Sequence, residues 1–193
     1  TYFTVDFRYM EAAKTTIKTG EVFWRGNLTE QLKGRPPGHQ VRTRGIGAAT
    51  LPLAAYRRFA GTLNTRVLAD SRLSDAIEAI RAIKTKEEQD ALRSAQIMTD
   101  RAFSFIINHI HPGVTEQDII LNMGAFMERL GSEGRSFDFI AISGPKTSLP
   151  HGKAGTRVIE RGDFVTMDFG CKVNGYLSDM TRTVAVGEVS THQ

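Results

Sequence analysis

A single cysteine, Cys171, stands among the 193 residues, so no disulfide can close within the chain and no multi-cysteine zinc site can be assembled. A reducing compartment fits that scarcity. No apolar run reaches the roughly 18 residues that a membrane-spanning helix needs, and the stretch opening at Thr1 lacks a signal-peptide pattern. The expected location is therefore cytoplasmic, with no membrane partner. Charge of one sign is also in short supply: the net charge is only +4, with residues 1 to 75 holding 12 Lys+Arg against 6 Asp+Glu and the remainder 13 against 15. Arg35, Arg42, Arg44, Arg57, Arg58, Arg66 and Arg72 are scattered, without a binding motif or interleaved aromatics, so a solvated basic face is expected and no nucleic acid. What is present suffices for a packed core. Hydrophobic residues at 40% and charged residues at 24% describe an ordinary globular chain, long enough for one large domain or two small ones.

Along the chain, "YFTV" reads as a strand, "RYMEAAKTTIK" as a short helix ended around Gly20, and "EVFW" as a second strand. Pro36-Pro37-Gly38 marks a loop, and "PLAAYRRFAG" reads as a helix with Pro52 near its first turn. The alternation predicts an α/β (α+β) fold. The pattern changes over residues 73–84, expected to be a linker between a first domain at 1–72 and a second at 85–193. Thr85 with Glu88, and again Thr115 with Asp118, form capping boxes in which the hydroxyl takes an orphan amide and the carboxylate returns to the cap residue's own. The helices they launch carry Leu92, Ala95, Met98 or Thr99, Ala102 and Ile106, then Ile119, Ile120, Met123, Phe126, Met127 and Leu130, at core spacing. After them the period switches to strands: "FDFIAI", a polar loop "SGPKTSLPHGKAGT", "DFVTMDFG" and "YLSDMTRTVAVG".

Asn174-Gly175 is a strong hairpin signal, because a type I′ turn needs positive φ at both central residues. A two-residue turn there sets cross-strand partners whose numbers sum to 349: Val173 with Tyr176, Gly170 with Asp179, Asp168 with Thr181. Side chains alternate along a strand, so Asp168 and Asp179 share a face as diagonal neighbours, with Cβ atoms up to about 7–8 Å apart. Gly170 is expected to leave space between them. Two like charges so placed call for a neutralising divalent cation, and oxygen ligands suit manganese, magnesium or calcium. The alternative is that one aspartate binds Arg182 or a loop amide and the other faces solvent. Cys171 falls on the opposite face, facing Ser178, and is not a candidate ligand. His151 follows Pro150 in the polar loop and is a candidate functional group; His39, His109 and His111 are expected at the surface or at helix ends.

The segments "SGPKTSLPHG" at 143 to 152, "VIERGDFVTMDFGCKVNGYLSDMTRTVAVGE" at 158 to 188 and "PGVTEQDI" at 112 to 119 resemble the pita-bread metallopeptidases, and among them the Xaa-Pro peptidases, prolidase and aminopeptidase P. "VDFRYMEAA" at 5 to 13 looks like the end of that family's small creatinase-like N-terminal domain. The resemblance implies the later part of that domain over 1–72, and the first half of a pita-bread catalytic domain over 85–193. It implies Asp168 and Asp179 as the first two of five ligands to two divalent metal ions, with manganese foremost and cobalt, zinc or iron as alternatives. Asp179 would bridge the ions and Asp168 chelate one. His151 matches the family's non-ligand active-site histidine, beside the scissile bond. The implied reaction is metal-assisted hydrolysis of the bond preceding proline in a peptide substrate, in a homodimer.

A histidine and two glutamates complete the family's centre from the second half of the domain, and no residue here matches them; Glu160 and Glu188 lie outside any matching motif. The chain as given is thus expected to be incomplete and inactive by itself. Non-catalytic binding proteins and a creatinase-like metal-free hydrolase share the fold, but retention of Asp168, Asp179 and His151 together disfavours both.

Overall fold

The computed structural model describes residues 2–5, 7–24, 43–47, 51–63 and 65–190. Arg35, Arg42, His39 and Pro36-Pro37-Gly38 lie outside the described residues. The chain divides into two compact units, Thr1–Ile83 and Lys84–Gln193.

The first unit holds two parallel strand pairs, each joined through a helix. β1 (Tyr2–Val5) pairs with β2 (Glu21–Trp24) across α1 (Met10–Thr16), and β3 (Thr43–Gly45) pairs with β4 (Arg66–Leu68) across α2 (Leu53–Thr62). Parallel neighbours need such a crossover, and helices supply it here. Pro52, with extended backbone, stands immediately before α2, where its missing N–H costs nothing. Residues 73–84 fall largely within a further helix, α3 (Arg72–Ala82), which Ser71 precedes without a side-chain cap bond. Among the described residues no helix is long and apolar enough to cross a membrane.

The second unit packs two helices on one face of an antiparallel sheet. α4 (Lys86–Ile106) and α5 (Glu116–Arg129) both begin in complete capping boxes, Thr85 with Glu88 and Thr115 with Asp118. The buried positions of α4 are Ala91, Ala95, Thr99, Ala102 and Ile106, so the stripe runs through Ala91 rather than Leu92. Small residues let the sheet approach α4 closely. The sheet order is β5–β6–β9, with β5 at Ile140–Ser143, β6 at Phe164–Phe169 and β9 at Met180–Ala185. Along β6 burial alternates: Val165, Met167 and Phe169 are sealed against the helices with Ile119, Met123 and Met127, while Phe164, Thr166 and Asp168 are half-buried on the other side. Each fully buried side chain of that size contributes about 1.5–3 kcal/mol. β6 is thereby fixed by its apolar face, since a slip of one residue would drive Asp168 into the core.

Beyond Phe169 the hairpin narrows to two-residue strands, β7 (Lys172–Val173) and β8 (Tyr176–Leu177), closed by Asn174 at φ 49° and Gly175 at φ 80°. These are the type I′ signs. The pairs Val173 with Tyr176, Phe169 with Met180 and Asp168 with Thr181 all keep the expected register through the break between the strands. At that break Ser136 N–H donates to the Gly170 carbonyl at 3.1 Å and Lys172 N–H to the Gly134 carbonyl at 2.9 Å, so residues 134–136 edge the hairpin.

Candidate metal centre

Asp168 leaves β6 on the face away from the helices. Directly opposite on β9, Thr181 donates its hydroxyl to Asp168 Oδ1 at 2.9 Å; on the other side Asp168 pairs with Ile140 of β5. Asp179 enters the same face from the residue before β9. Its carboxyl is held above the ordinary value of 3.8 by burial first, then by the Asp168 charge and by a hydrogen bond with Asp168. Strand alternation puts the exposed Asp179 on the face of Thr181, which pairs with Asp168, so the two carboxyls share that face.

Gly170 lies between them in register, and its role differs from the expected spacer. A Cβ there would stand 1.9 Å from the Ser178 carbonyl oxygen and 2.4 Å from Ser136 Oγ. The position needs glycine because two backbones touch, which draws the Asp179 segment against β6. Behind it, Cys171 is fully buried, and Ser178 Oγ accepts from Cys171 N–H at 3.0 Å while lying 2.6 Å from Thr99 Oγ1 of α4. This polar knot pins the hairpin to the helix. Cys171 thus faces away from the carboxylates, as the alternation requires.

Arg182 does not neutralise the pair. Its Nη1 donates to the Thr181 carbonyl at 2.8 Å and its guanidinium lies 5.9 Å from the Phe103 ring centre, on the helix side. Among the described residues neither aspartate is ion-paired with a Lys or Arg. An uncompensated carboxylate pair with hard oxygen donors fits a divalent cation, so the residues present suit the metal that the resemblance implies. They make a partial set: among the described residues no group of three or more His, Cys, Asp or Glu gathers to hold an ion.

His151 is exposed, in the loop after β5, and sits on the aspartate side of the sheet. The buried neighbour Gly152 fixes this, since a Cβ on it would lie 3.0 Å from both Ile142 Cδ1 and Cγ2. Ile142 pairs with Thr166, two residues along β6 from Asp168, or about 7 Å. His109 and His111 are exposed at the end of α4, with Nδ1 atoms 2.9 Å from the Phe105 carbonyl and 3.0 Å from the Pro112 carbonyl.

One charged cluster escapes a reading by motif alone. Glu116, at the first turn of α5, is fully buried. Its Oε1 accepts from Ser143 N–H at 2.8 Å and Ser143 Oγ at 3.0 Å, and its Oε2 from Lys146 Nζ at 2.5 Å and Gly155 N–H at 2.9 Å. Burial pushes this carboxyl up, but the bonds from Lys146, Gly155 and Ser143 outweigh it and hold the group below its ordinary value. Arg157 extends the network to Ser143 Oγ at 2.6 Å and to Asp163 Oδ2 at 2.6 Å. The available signal was helical phase: residue 116 lies on the stripe of Ile119, Met123 and Met127.

Residues 90–193 match the sequence model of metallopeptidase family M24. The chain is 34% identical over 97% of its length to the uncharacterized peptidase YqhT of Bacillus subtilis, covering 53% of that protein. It is 38% identical over 63% of its length to the Xaa-Pro dipeptidase of Pyrococcus furiosus, covering 35% of it. Among solved structures, the Xaa-Pro dipeptidase from Bacillus anthracis superposes with a TM-score of 0.90 at 36% identity, over 98% of this chain and 53% of that one. The chain spans about half the length of the relatives it matches. The fold is α+β, of the pita-bread type found in prolidases and aminopeptidase P, of which it makes up about half.

Proposed function

The chain belongs to metallopeptidase family M24, and on that premise we propose that it supplies one side of a dinuclear metal centre hydrolysing the peptide bond that precedes proline. The observation that carries this is that Asp168 and Asp179 share one face, with neither ion-paired to a Lys or Arg among the described residues. Asp179, and Asp168 oriented by the Thr181 hydroxyl, would be the residues of this chain that hold the divalent ions. Bound there, the ions would supply a water acidic enough to attack at neutral pH, and Lewis-acid polarisation of the carbonyl. His151, carried over the same face by the Gly152 contact, would hydrogen-bond the substrate carbonyl as negative charge develops on it. Manganese is the proposed ion, on the strength of the family resemblance; the carboxylate donors suit it as they suit magnesium or calcium. Two carboxylates alone bind such an ion weakly, so turnover belongs to the intact protein.

The test is hydrolysis of Ala-Pro by the intact protein with and without manganese, beside creatine as control. Manganese-dependent cleavage of Ala-Pro that disappears in Asp179→Asn is the expected result. Metal-independent turnover of creatine, or no cleavage of Ala-Pro with manganese bound, would overturn the proposal.

A further inference from the structure

The bonds of the buried Glu116 go to one loop. Ser143 and Lys146 stand where the polar loop leaves β5, and Gly155 where it returns; Lys146 Nζ also donates to the Lys153 carbonyl at 2.9 Å, two residues past His151. Glu116 itself cannot drift. Its backbone N–H donates to the Arg157 carbonyl at 3.1 Å, Gln117 N–H to the Gly155 carbonyl at 3.2 Å, and Ile159 N–H to the Val114 carbonyl at 2.8 Å, so the start of α5 is laced to residues 155–159. An apolar side chain of equal volume would avoid the desolvation cost of a sealed carboxylate. What it could not do is draw two loop ends and an ammonium to one point.

We infer that Glu116 is a positioning residue, setting the path of residues 143–155 and thereby the place of His151 on the aspartate side of the sheet. The inference rests on the reading of His151 given above. His151 makes no hydrogen bond of its own among the described residues, so its ring is aimed by the backbone alone. That backbone is fixed at the Gly152 contact with Ile142, and through Lys146 and Gly155 to Glu116.

The experiment compares amide hydrogen exchange and the His151 imidazole resonances in the intact protein, its Glu116→Ala variant and its Glu116→Gln variant. The reporters are the amides of Leu149 and Gly152, which bond within the loop to the Lys146 and Leu149 carbonyls and not to Glu116. In Glu116→Ala they should exchange about tenfold faster or more, the factor for losing one hydrogen bond to a charged group. The β6 amides should keep their rates and the His151 resonances should move. Glu116→Gln, which keeps an acceptor for one loop end only, should fall between. Unchanged loop rates, or loop and β6 rates rising together in both variants, would overturn the inference, the second by showing a general stabilising role. Manganese titration of the intact unsubstituted protein in the same samples separates the two readings: silent aspartates there would refute the metal centre and leave the exchange result to judge Glu116.

Discussion

Replacing Gly170 by alanine adds one methyl group and changes neither carboxylate, so it isolates the close backbone approach beneath the pair. The new Cβ would lie 1.9 Å from the Ser178 carbonyl oxygen and 2.7 Å from its carbonyl carbon, where ordinary contact begins at 3.4 Å. Ser136 Oγ, at 2.4 Å, can swing aside by changing rotamer. The Ser178 backbone has no such freedom, since its N–H donates to the Cys171 carbonyl at 3.0 Å and its hydroxyl accepts from Cys171 N–H. Relief requires the two chain segments to part by about 1.5 Å, against an interior packed to crystal density. Overpacking costs about 1–3 kcal/mol, and a clash with backbone rather than a flexible tip puts Gly170→Ala at the upper end, about 3 kcal/mol. Hydrogen exchange of the β6 amides measures that loss directly, because these amides open only with the whole sheet. The same parting separates Asp168 from Asp179, and manganese affinity should fall about 10- to 100-fold, as when a supporting shell is disturbed. A loss below about 1 kcal/mol with manganese affinity unchanged would refute the contact as the device that brings the carboxylates together.

Asp179→Asn should stabilise the metal-free chain while abolishing its manganese response. The raised Asp179 carboxyl favours folding fully below its unfolded value of 3.8, and that advantage is lost as pH rises through its folded value. At neutral pH the substitution therefore removes a like-charge contact, a gain of roughly 0.2–1 kcal/mol by urea denaturation. Asp163, held low by Arg157, and Glu116, held low against burial by Lys146 and the amides of Gly155 and Ser143, act in the opposite sense. Their contribution is complete above unfolded values of 3.8 and 4.5 and fades as pH falls through the lower folded values. Stability measured between about pH 3 and 6 should drop steeply at the acid end, and less steeply in Asp163→Asn. Thr99→Val removes the 2.6 Å hydroxyl contact to Ser178 while keeping shape, and should cost about 1–2 kcal/mol; no loss would mean that the knot does not anchor the hairpin.

The geometry of the carboxylate pair is readable from sequence because it is local. Asn174-Gly175 sets the turn, the period of two sets the face, and counting outward from the turn places Asp168 opposite Thr181 without knowledge of the rest of the molecule. The capping boxes are equally local. Partners distant in sequence are not visible in this way. Ser136 reaches Gly170 through a short edge segment, and Glu116 gathers Ser143, Lys146 and Gly155 from a loop that begins 27 residues later. A glutamate in a first helical turn reads as a charge facing the helix dipole until its phase on the apolar stripe is checked. The three-residue strands β3 and β4 are too short to carry a period, and α3 begins without a cap bond, so neither announces itself.

A last consequence concerns chain length rather than residue identity. Because the pairs at 168–181, 169–180 and 173–176 share a register centred on the turn, the ten residues between Asp168 and Asp179 form a mirror-like ruler. One residue gained or lost on either arm would turn an aspartate to the opposite side of the sheet, whereas matched changes on both arms would keep the pair together. Length variation in this hairpin should therefore occur beyond the aspartates or symmetrically about Asn174-Gly175, a rule that a designer lengthening its tip can apply directly.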